Sequence, residues 1–380
     1  MTATQGTPEA PGLFSIGKRP LLGRNREELR SLARSLGQPA YRGEQLARWL
    51  YQRGATRIED MSDLPRAFRE TLSERFTVGR PEVILHSEAP DRTTKLLVAM
   101  ADGQRVETVL LPYEERTSVC VSSQVGCAAG CTFCATATMG FTRHLTAAEI
   151  VGQVLAASAA LNAAPWSEGL PESARRVNHV VFMGMGEPLW NLDNVLKAIR
   201  LLNEEVGIGM RGITVSTVGI PEQMRRLADE DLQVTLALSL HAGTEETRQR
   251  LVPVGRKYNM DDILAAARYY FERTGRRVTF EYVVLGGVND TPEEARALAQ
   301  RLRNTPAHVN LIPWNPAHSK MAFRPPAPAD IRAFRRILED AGIAVTQRAE
   351  RGQGIAAACG QLKVQAGDPA PAWPDAASSG

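Results

Sequence analysis

Short apolar runs alternate with amphipathic stretches from about residue 117 to residue 347. The runs TSVCVSS, VNHVVFM, GITVSTV, LQVTLALSL, RVTFEYVVL and HVNLIPW are almost continuously apolar and rich in Val, Ile and Leu. That pattern predicts strands covered on both faces. Between them lie helical patterns: TAAEIVGQVLAASAAL behind a cap at Thr146, NLDNVLKAIRLLN, PEQMRRLAD with Pro in its first turn, MDDILAAARYYFER, TPEEARALAQRLR and PADIRAFRRILEDAG. AVTQR is a candidate final short strand. Six strand–helix units predict an α/β fold, a partial (βα)6 or a full TIM-like barrel rather than an open doubly wound sheet.

The chain before this alternation reads differently. Asn25 to Glu28 is a capping-box pattern ahead of LRSLARSL. YRGEQLARWLYQR puts Leu46, Trp49 and Leu50 on one helical face, and Ser62 is a candidate cap for LPRAFRETLSERF. EVILHS, TKLLVAM and QRVETVLLP are strand-like, with Gly103 marking a hairpin between the last two. Four segments follow: a disordered lead at 1–20, a small helical accessory domain at 21–97, a core with its β extension at 98–362, and a disordered tail at 363–380. Residues 162–176 read as a surface loop insertion.

A length of 380 residues fits a core plus an accessory domain better than a single core. A membrane-spanning apolar run and a signal-peptide core are both absent from the sequence, so the expected location is the cytoplasm. The net charge of +3 looks too small for a nucleic-acid binder, but it is unevenly distributed. Residues 1–57 carry ten Lys/Arg against four Asp/Glu, as do residues 301–363, which leaves 58–300 at −7 and 364–380 at −2. Two basic ends could build a phosphate-binding surface if they meet in space; otherwise they are solvated arginine-rich helices.

Five cysteines in a long chain argue against a disulfide framework. Four of them, Cys120, Cys127, Cys131 and Cys134, fall within fifteen residues, and Cys359 stands apart. Cys127, Cys131 and Cys134 form a CxxxCxxC loop after the first core strand, at the end where α/β barrels keep their active sites. Three thiolates at this spacing suit three irons of one 4Fe-4S cluster and leave the fourth iron open. Zinc or free buried thiols are the alternatives, although zinc usually takes four ligands in CxxC pairs.

CxxxCxxC after the first strand of a βα repeat resembles the radical S-adenosylmethionine (SAM) superfamily, in which the open iron binds SAM. Gly184-Met185-Gly186-Glu187-Pro188 follows the second strand and resembles the superfamily's GGEP-type segment. The match tightens over VETVLLPYEERTSVCVSSQVGCAAGCTFCATATMGF, FMGMGEPLWN, STVG, ALSLHA, NLIPWNP and RGQGIAAACGQL. Together with YRGEQLARWLYQR and EDMSDLP, these resemble the RlmN family of radical SAM RNA methyltransferases over nearly the whole folded chain.

The resemblance implies methylation of adenosine carbon 2, in 23S rRNA and in tRNA at position 37, with two SAM molecules per turnover. It implies that Cys359 carries the methyl group, that Cys120 resolves the protein–RNA adduct through a transient disulfide with Cys359, and that Glu107 accepts the carbon-2 proton. A thiolate nucleophile at Cys359 calls for access and for nearby cationic groups such as Arg351. The resemblance implies SAM contacts from Gly186, Glu187, Ser216, Ser239, Leu240, His241 and Asn315, and cluster ligation by Cys127, Cys131 and Cys134. It makes 21–97 an RNA-binding domain. It also implies 23S rRNA and tRNA as partners, an electron donor such as flavodoxin, and a monomer without membrane association. The related Cfr methyltransferase modifies carbon 8, and other radical SAM enzymes act on peptides or small molecules. Ala137 and Gly354 depart from the usual family residues, Gly and Asp.

Overall fold

A computed structural model describes residues 18–364 apart from 304, 317–318 and 350. The expected lead and tail lie almost wholly outside the described residues. The chain opens with β1 (Arg19–Pro20), followed by helices α1 (Arg26–Ser35), α2 (Tyr41–Tyr51) and α3 (Arg66–Arg75). Strand β2 (Phe76–Thr77) returns to pair in parallel with β1. The capping box at α1 forms as expected: Asn25 Oδ1 accepts from the Glu28 N–H at 2.8 Å, and Glu28 Oε2 accepts from the Asn25 N–H at 2.7 Å. Ser62 does not cap α3, which starts at Arg66 behind Pro65. A residue preceding proline is disfavoured in helical conformation, so Leu64 holds the start of the helix back.

This helical unit docks on a feature with no signal in the sequence. Helix α5 (Leu192–Leu201) runs into a π-helical turn at Leu202–Val206 that buries Glu205. Glu205 accepts from the Arg26 backbone N–H at 2.9 Å and pairs with the Arg26 guanidinium at 3.2 Å. Lys197 of α5 pairs with Glu28 at 2.8 Å.

Among the described residues the main sheet has ten strands. In chain order they are β3 (Glu82–Glu88), β4 (Thr94–Ala99), β5 (Arg105–Pro112), β6 (Thr117–Cys120), β9 (Val177–Phe182), β10 (Ile213–Thr217), β11 (Thr235–Ser239), β12 (Val278–Val284), β13 (Ala307–Pro313) and β14 (Ala344–Gln347). A separate antiparallel hairpin, β7 (Gln124–Gly126) with β8 (Phe141–His144), brackets the cysteine loop and was not expected. Spatial order follows chain order. Strands β3 to β6 are antiparallel, and β6 to β14 are parallel. The sheet ends at β3 and β14 without closing, which gives the partial barrel.

Helices α4 (Ala147–Ala163), α5, α6 (Pro221–Asp229), α8 (Met260–Thr274), α9 (Pro292–Leu302) and α10 (Pro328–Asp340) connect the parallel strands, close to the predicted segments. Thr146 caps α4 with its hydroxyl. Helix α7 (Glu245–Leu251) was not expected, and residues 165–169 and 172–174 of the predicted loop form short 3-10 turns. Among the described residues no helix is long and apolar enough to cross a membrane.

Strand register sorts the residues into two faces. Lys95 pairs with Val109, Val109 with Cys120, Cys120 with Val181, and Val181 with Thr214. Ser239 pairs with Glu281, Glu281 with Asn310, and Asn310 with Thr346. By strand alternation, one face carries Lys95, Glu107, Cys120, Ser216, Ser239, Glu281 and Asn310. The opposite face carries Ile213, Val215, Leu236, Phe280, Tyr282, Val309 and Leu311, all buried. The strands that read as uniformly apolar are therefore apolar on the helix side and turn polar on the barrel side.

Candidate active site

The cysteine loop is held in shape by main-chain bonds. The Cys127 N–H donates to the Gly140 carbonyl at 2.6 Å, closing the loop at its neck. Gly126 sits there at φ 73°, and a Cβ would lie 2.0 Å from the Gly140 oxygen, so only glycine fits. The Thr132 N–H donates to the Leu251 carbonyl at 2.9 Å, which ties the loop to α7. The Trp314 indole N–H donates to the Phe133 carbonyl at 3.2 Å, which ties it to the end of β13. Ala137, one of the two departures, lies in a 3-10 turn at Thr136–Thr138 with ordinary φ, so it is accommodated without strain. Gly354, the other, has open space where a Cβ would stand, with nothing within 4 Å.

The three thiols line a cavity with about 910 Å³ of space not filled by protein. Burial pushes Cys127 up to about 12 and Cys131 well above the usual thiol range, and raises Cys134. Among the described residues no three His, Cys, Asp or Glu side chains converge as a single metal ion would require. The thiols share a wall and not one point.

The rest of that cavity comes from the C-terminal ends of successive strands. Gly186, Glu187, Ser216, Ser239 and His241 line it. Glu187 Oε1 accepts from the Leu189 N–H at 3.0 Å, and Oε2 accepts from the Val218 N–H at 2.8 Å. Its burial nevertheless pushes the carboxyl up to about 7. Gly186, at φ 104°, lets the backbone lie against Gln124, where a Cβ would come within 2.6 Å. The glycines of this segment thus serve an approach between two protein segments. His241 takes φ 58°, which is uncommon for a non-glycine residue. Its Nδ1 accepts from the Val283 N–H at 3.0 Å, and its ring meets Phe133 edge-on at 4.9 Å. Burial pushes His241 down to about 3, so the ring is neutral and carries its proton on Nε2. The Leu240 side chain does not line the cavity; its carbonyl accepts from Arg248 at 2.6 Å.

Arg248 carried no signal in the sequence. It is fully buried, and it donates to the carbonyls of Ser239 at 3.0 Å, Leu240 and Val218. One guanidinium thereby braces two strand-end loops of the cavity. Its Nε is buried without a hydrogen-bond partner. Burial lowers Arg248 to about 10, and the nearest opposing influence is Cys131.

A second, much narrower cavity is lined by Cys120, Tyr113, Asn315, Arg351 and Leu362. Cys359, Met183, Ile312, Pro313 and Arg348 line both cavities. Cys359 thus stands where the two spaces meet, with the CxxxCxxC thiols on one side and Cys120 on the other. Burial, then the proximity of Cys359, pushes Cys120 up to about 12. The cation coupled to this pair is Arg348, whose leading perturbation is Cys359 and which also feels Glu281 and Cys120. Arg351, the expected cation, is otherwise engaged: it donates to the Pro112 carbonyl, pairs with Asp91 at 3.5 Å and stacks 4.7 Å over Tyr113.

Glu107 lines neither cavity. It is buried on β5, where Oε1 pairs with Lys95 at 2.8 Å and Oε2 accepts from the Lys363 N–H at 2.7 Å. That amide lies one residue beyond Leu362 of the second cavity. The segment bearing Cys359 is pinned to the cysteine loop as well. The Ala135 N–H donates to the Gly360 carbonyl at 2.8 Å, and Thr136 Oγ1 donates to the Leu362 carbonyl at 2.6 Å.

Comparison with known proteins places this geometry in context. The sequence model for the radical SAM superfamily matches residues 121–299, and that for the ribosomal RNA large subunit methyltransferase N-terminal domain matches residues 20–78. The chain is 51% identical to a probable dual-specificity RNA methyltransferase RlmN from Gloeobacter violaceus, covering 90% of this chain and 95% of that one. A protein of the same description from a Synechocystis species is 49% identical, with 90% and 94% covered. Among solved structures, a radical SAM methyltransferase from Sphaerobacter thermophilus superposes with a TM-score of 0.85 at 43% identity, over 91% of this chain and 99% of that one.

Proposed function

The chain belongs to the RlmN family of the radical SAM superfamily, and on that premise we propose that it methylates carbon 2 of adenosine in 23S rRNA and in tRNA at position 37, with Cys359 as the carrier of the methyl group. Family membership itself makes the chain a radical SAM RNA methyltransferase that uses a 4Fe-4S cluster and SAM. The observation that carries the finer reading is the position of Cys359 in the wall shared by two cavities, facing the CxxxCxxC thiols in one and Cys120 in the other.

The residues present fit both groups. Three buried thiols pushed upward by desolvation need a cation to become thiolates, and the buried Arg248 beside Cys131 suits a site that holds net negative charge. Cys127, Cys131 and Cys134 would hold the cluster. Gly186, Glu187, Ser216, Ser239 and His241 would hold SAM, with Glu187 as acceptor for its ammonium and the Nε2–H of His241 as a donor. When bound, cluster and SAM supply the methyl group and a carbon-centred radical, chemistry that an electron-poor aromatic carbon requires and that acid–base groups lack. Two SAM molecules would be consumed per turnover, with electrons from a donor of the flavodoxin class.

The protein's own groups account for the rest. Arg348 lines both cavities with Cys359 and puts a cation beside the nucleophile that accepts the methyl group. Once the carbon is joined to adenosine, the Cys120 sulfur attacks the Cys359 sulfur. The S–S bond forms, the S–C bond breaks with its electron pair going to carbon, and that carbon takes up the proton that the Cys120 thiol gives up. Cys120 stays a neutral thiol while buried, which protects it from premature reaction. Glu107 accepts the proton that leaves carbon 2, and the one electron also lost as that ring regains aromaticity would return to the cluster's redox chain. Asn315 lines the second cavity and not the one proposed for the cluster and SAM, so its amide would face the substrate side.

Mass spectrometry of rRNA and tRNA from a deletion strain tests the reading. Loss of 2-methyladenosine from both is expected, and its persistence sinks the proposal. Loss of 8-methyladenosine instead would assign the carbon-8 reaction. Full activity on another substrate with Cys120 and Cys359 replaced would assign a different radical SAM enzyme.

A further inference from the structure

We infer that Lys95 is a positioning residue of this same site, clasping the Cys359 segment together with Glu107 and keeping that carboxylate ionised until it takes the substrate proton. The inference rests on the reading of Glu107 as proton acceptor. Lys95 Nζ lies 2.8 Å from Glu107 Oε1, and both side chains are nearly shut off from solvent, at 12% and 4% exposure. The two residues grip the C-terminal segment at separate points. Lys95 Nζ reaches the Ala356 carbonyl at 3.5 Å, and Glu107 Oε2 accepts from the Lys363 N–H at 2.7 Å. Cys359 lies between those two anchors, in a stretch that includes Ala356 at φ 50°.

Several elements pack against Glu107. Strand β4 presents Lys95. The segment after β6 presents the Ser122 hydroxyl, which donates to the Glu107 carbonyl at 2.7 Å. The segment after β9 presents the Met185 sulfur, which accepts from the Glu107 N–H at 3.4 Å. The C-terminal segment presents Lys363 through its backbone, and Arg105 lies two residues away on β5 itself. Lys95 thus puts a cation in direct contact with the carboxylate. A buried carboxylate deprived of its cation shifts upward and protonates. It can then no longer accept a proton. Transfer of the carbon-2 proton moves one proton and no electrons. It weakens the ion pair and the hydrogen bond from Lys363, loosening the segment as Cys359 must turn toward Cys120.

The test uses holoenzymes carrying Lys95→Met, Lys95→Arg and Glu107→Gln, with Cys359 methylation read by protein mass spectrometry and covalent RNA adduct read on denaturing gels. Lys95→Met is expected to methylate Cys359 normally. It should clear the adduct roughly tenfold more slowly at neutral pH and recover as pH rises, because alkali restores the ionised Glu107. Glu107→Gln should retain the adduct at every pH. Lys95→Arg keeps the charge and should clear the adduct with the parental pH profile; it carries the test if Lys95→Met does not fold. If Glu107→Gln turns over normally, the reading of Glu107 fails and this inference falls with it. If Glu107→Gln traps the adduct while Lys95→Met clears it like the parent, or traps it equally at all pH values, the role of Lys95 alone is overturned. Loss of Cys359 methylation in Lys95→Met with its cluster intact, or adduct accumulation in Lys95→Arg, also overturns it.

Discussion

Replacing Arg248 with Met removes a brace that joins two loops of the cavity. The guanidinium donates to the carbonyls of Ser239, Leu240 and Val218, and all three lie at strand ends that line or border the cavity proposed for SAM. Methionine has nearly the same reach and no donors. Each buried carbonyl left bare costs about 2 kcal/mol. Against this, removing the charge relieves a desolvation cost. The fall of Arg248 from 12.5 to about 10 corresponds to roughly 3 kcal/mol at about 1.4 kcal/mol per unit. Three bare carbonyls outweigh that relief, so the net destabilisation is about 3 kcal/mol. Urea unfolding of the cluster-free chain, followed by circular dichroism, reads the loss. Hydrogen exchange should localise it to the segments around Val218 and Leu240, with the N-terminal helices unchanged. Arg248→Lys should be intermediate, since one ammonium cannot span the same carbonyls. An Arg248→Met protein as stable as the parent, with unchanged exchange at those loops, would refute the reasoning.

Three further outcomes follow from the geometry. Cys120→Ala is expected to trap a covalent RNA adduct on Cys359, seen as RNA co-purifying through denaturing conditions; a variant free of RNA contradicts the resolving role. Gly126→Ala places a Cβ 2.0 Å from the Gly140 oxygen at φ 73°, so the cysteine loop should shift and reconstituted iron content fall several-fold, while the far-UV dichroism of the chain stays near the parental signal. His241 is depressed to about 3 in the folded chain against 6.5 unfolded, so its stabilising contribution is present above pH 6.5 and is lost as pH falls toward 3. Chemical denaturation at pH 7 and pH 4 should therefore show a steeper acid loss for the parent than for His241→Gln, and equal slopes would count against the assignment.

The legible part of this protein was the part whose physics is local. Helix α1 announced itself because Asn25 and Glu28 satisfy one another's backbone N–H groups within one turn. Six of the seven described parallel strands of the main sheet were visible because helix coverage demands apolar residues on one face and the barrel interior tolerates many on the other. Helix α7 and the β7–β8 hairpin were missed because both are short and owe their shape to contacts with the cysteine loop. Ser62 is a poor guide to the helix start because Pro65, three positions on, sets where α3 can begin.

Residue spacing and the family resemblance were enough to single out the cysteine loop, the glycine-rich segment and the separate Cys359. Chemistry at such spacings depends on a few consecutive residues, so it survives in one dimension. Only the tertiary structure could decide which charges serve which sulfurs. Arg348, not Arg351, couples to Cys359, because β14 delivers it to the wall shared by both cavities, while Arg351 is drawn away by Asp91 and Tyr113. Lys95 meets Glu107, and Arg248 meets three carbonyls, across separations that no local pattern encodes. Burial makes those encounters matter: in a desolvated interior a charge must find its partner through the fold, and the fold alone says which partner that is.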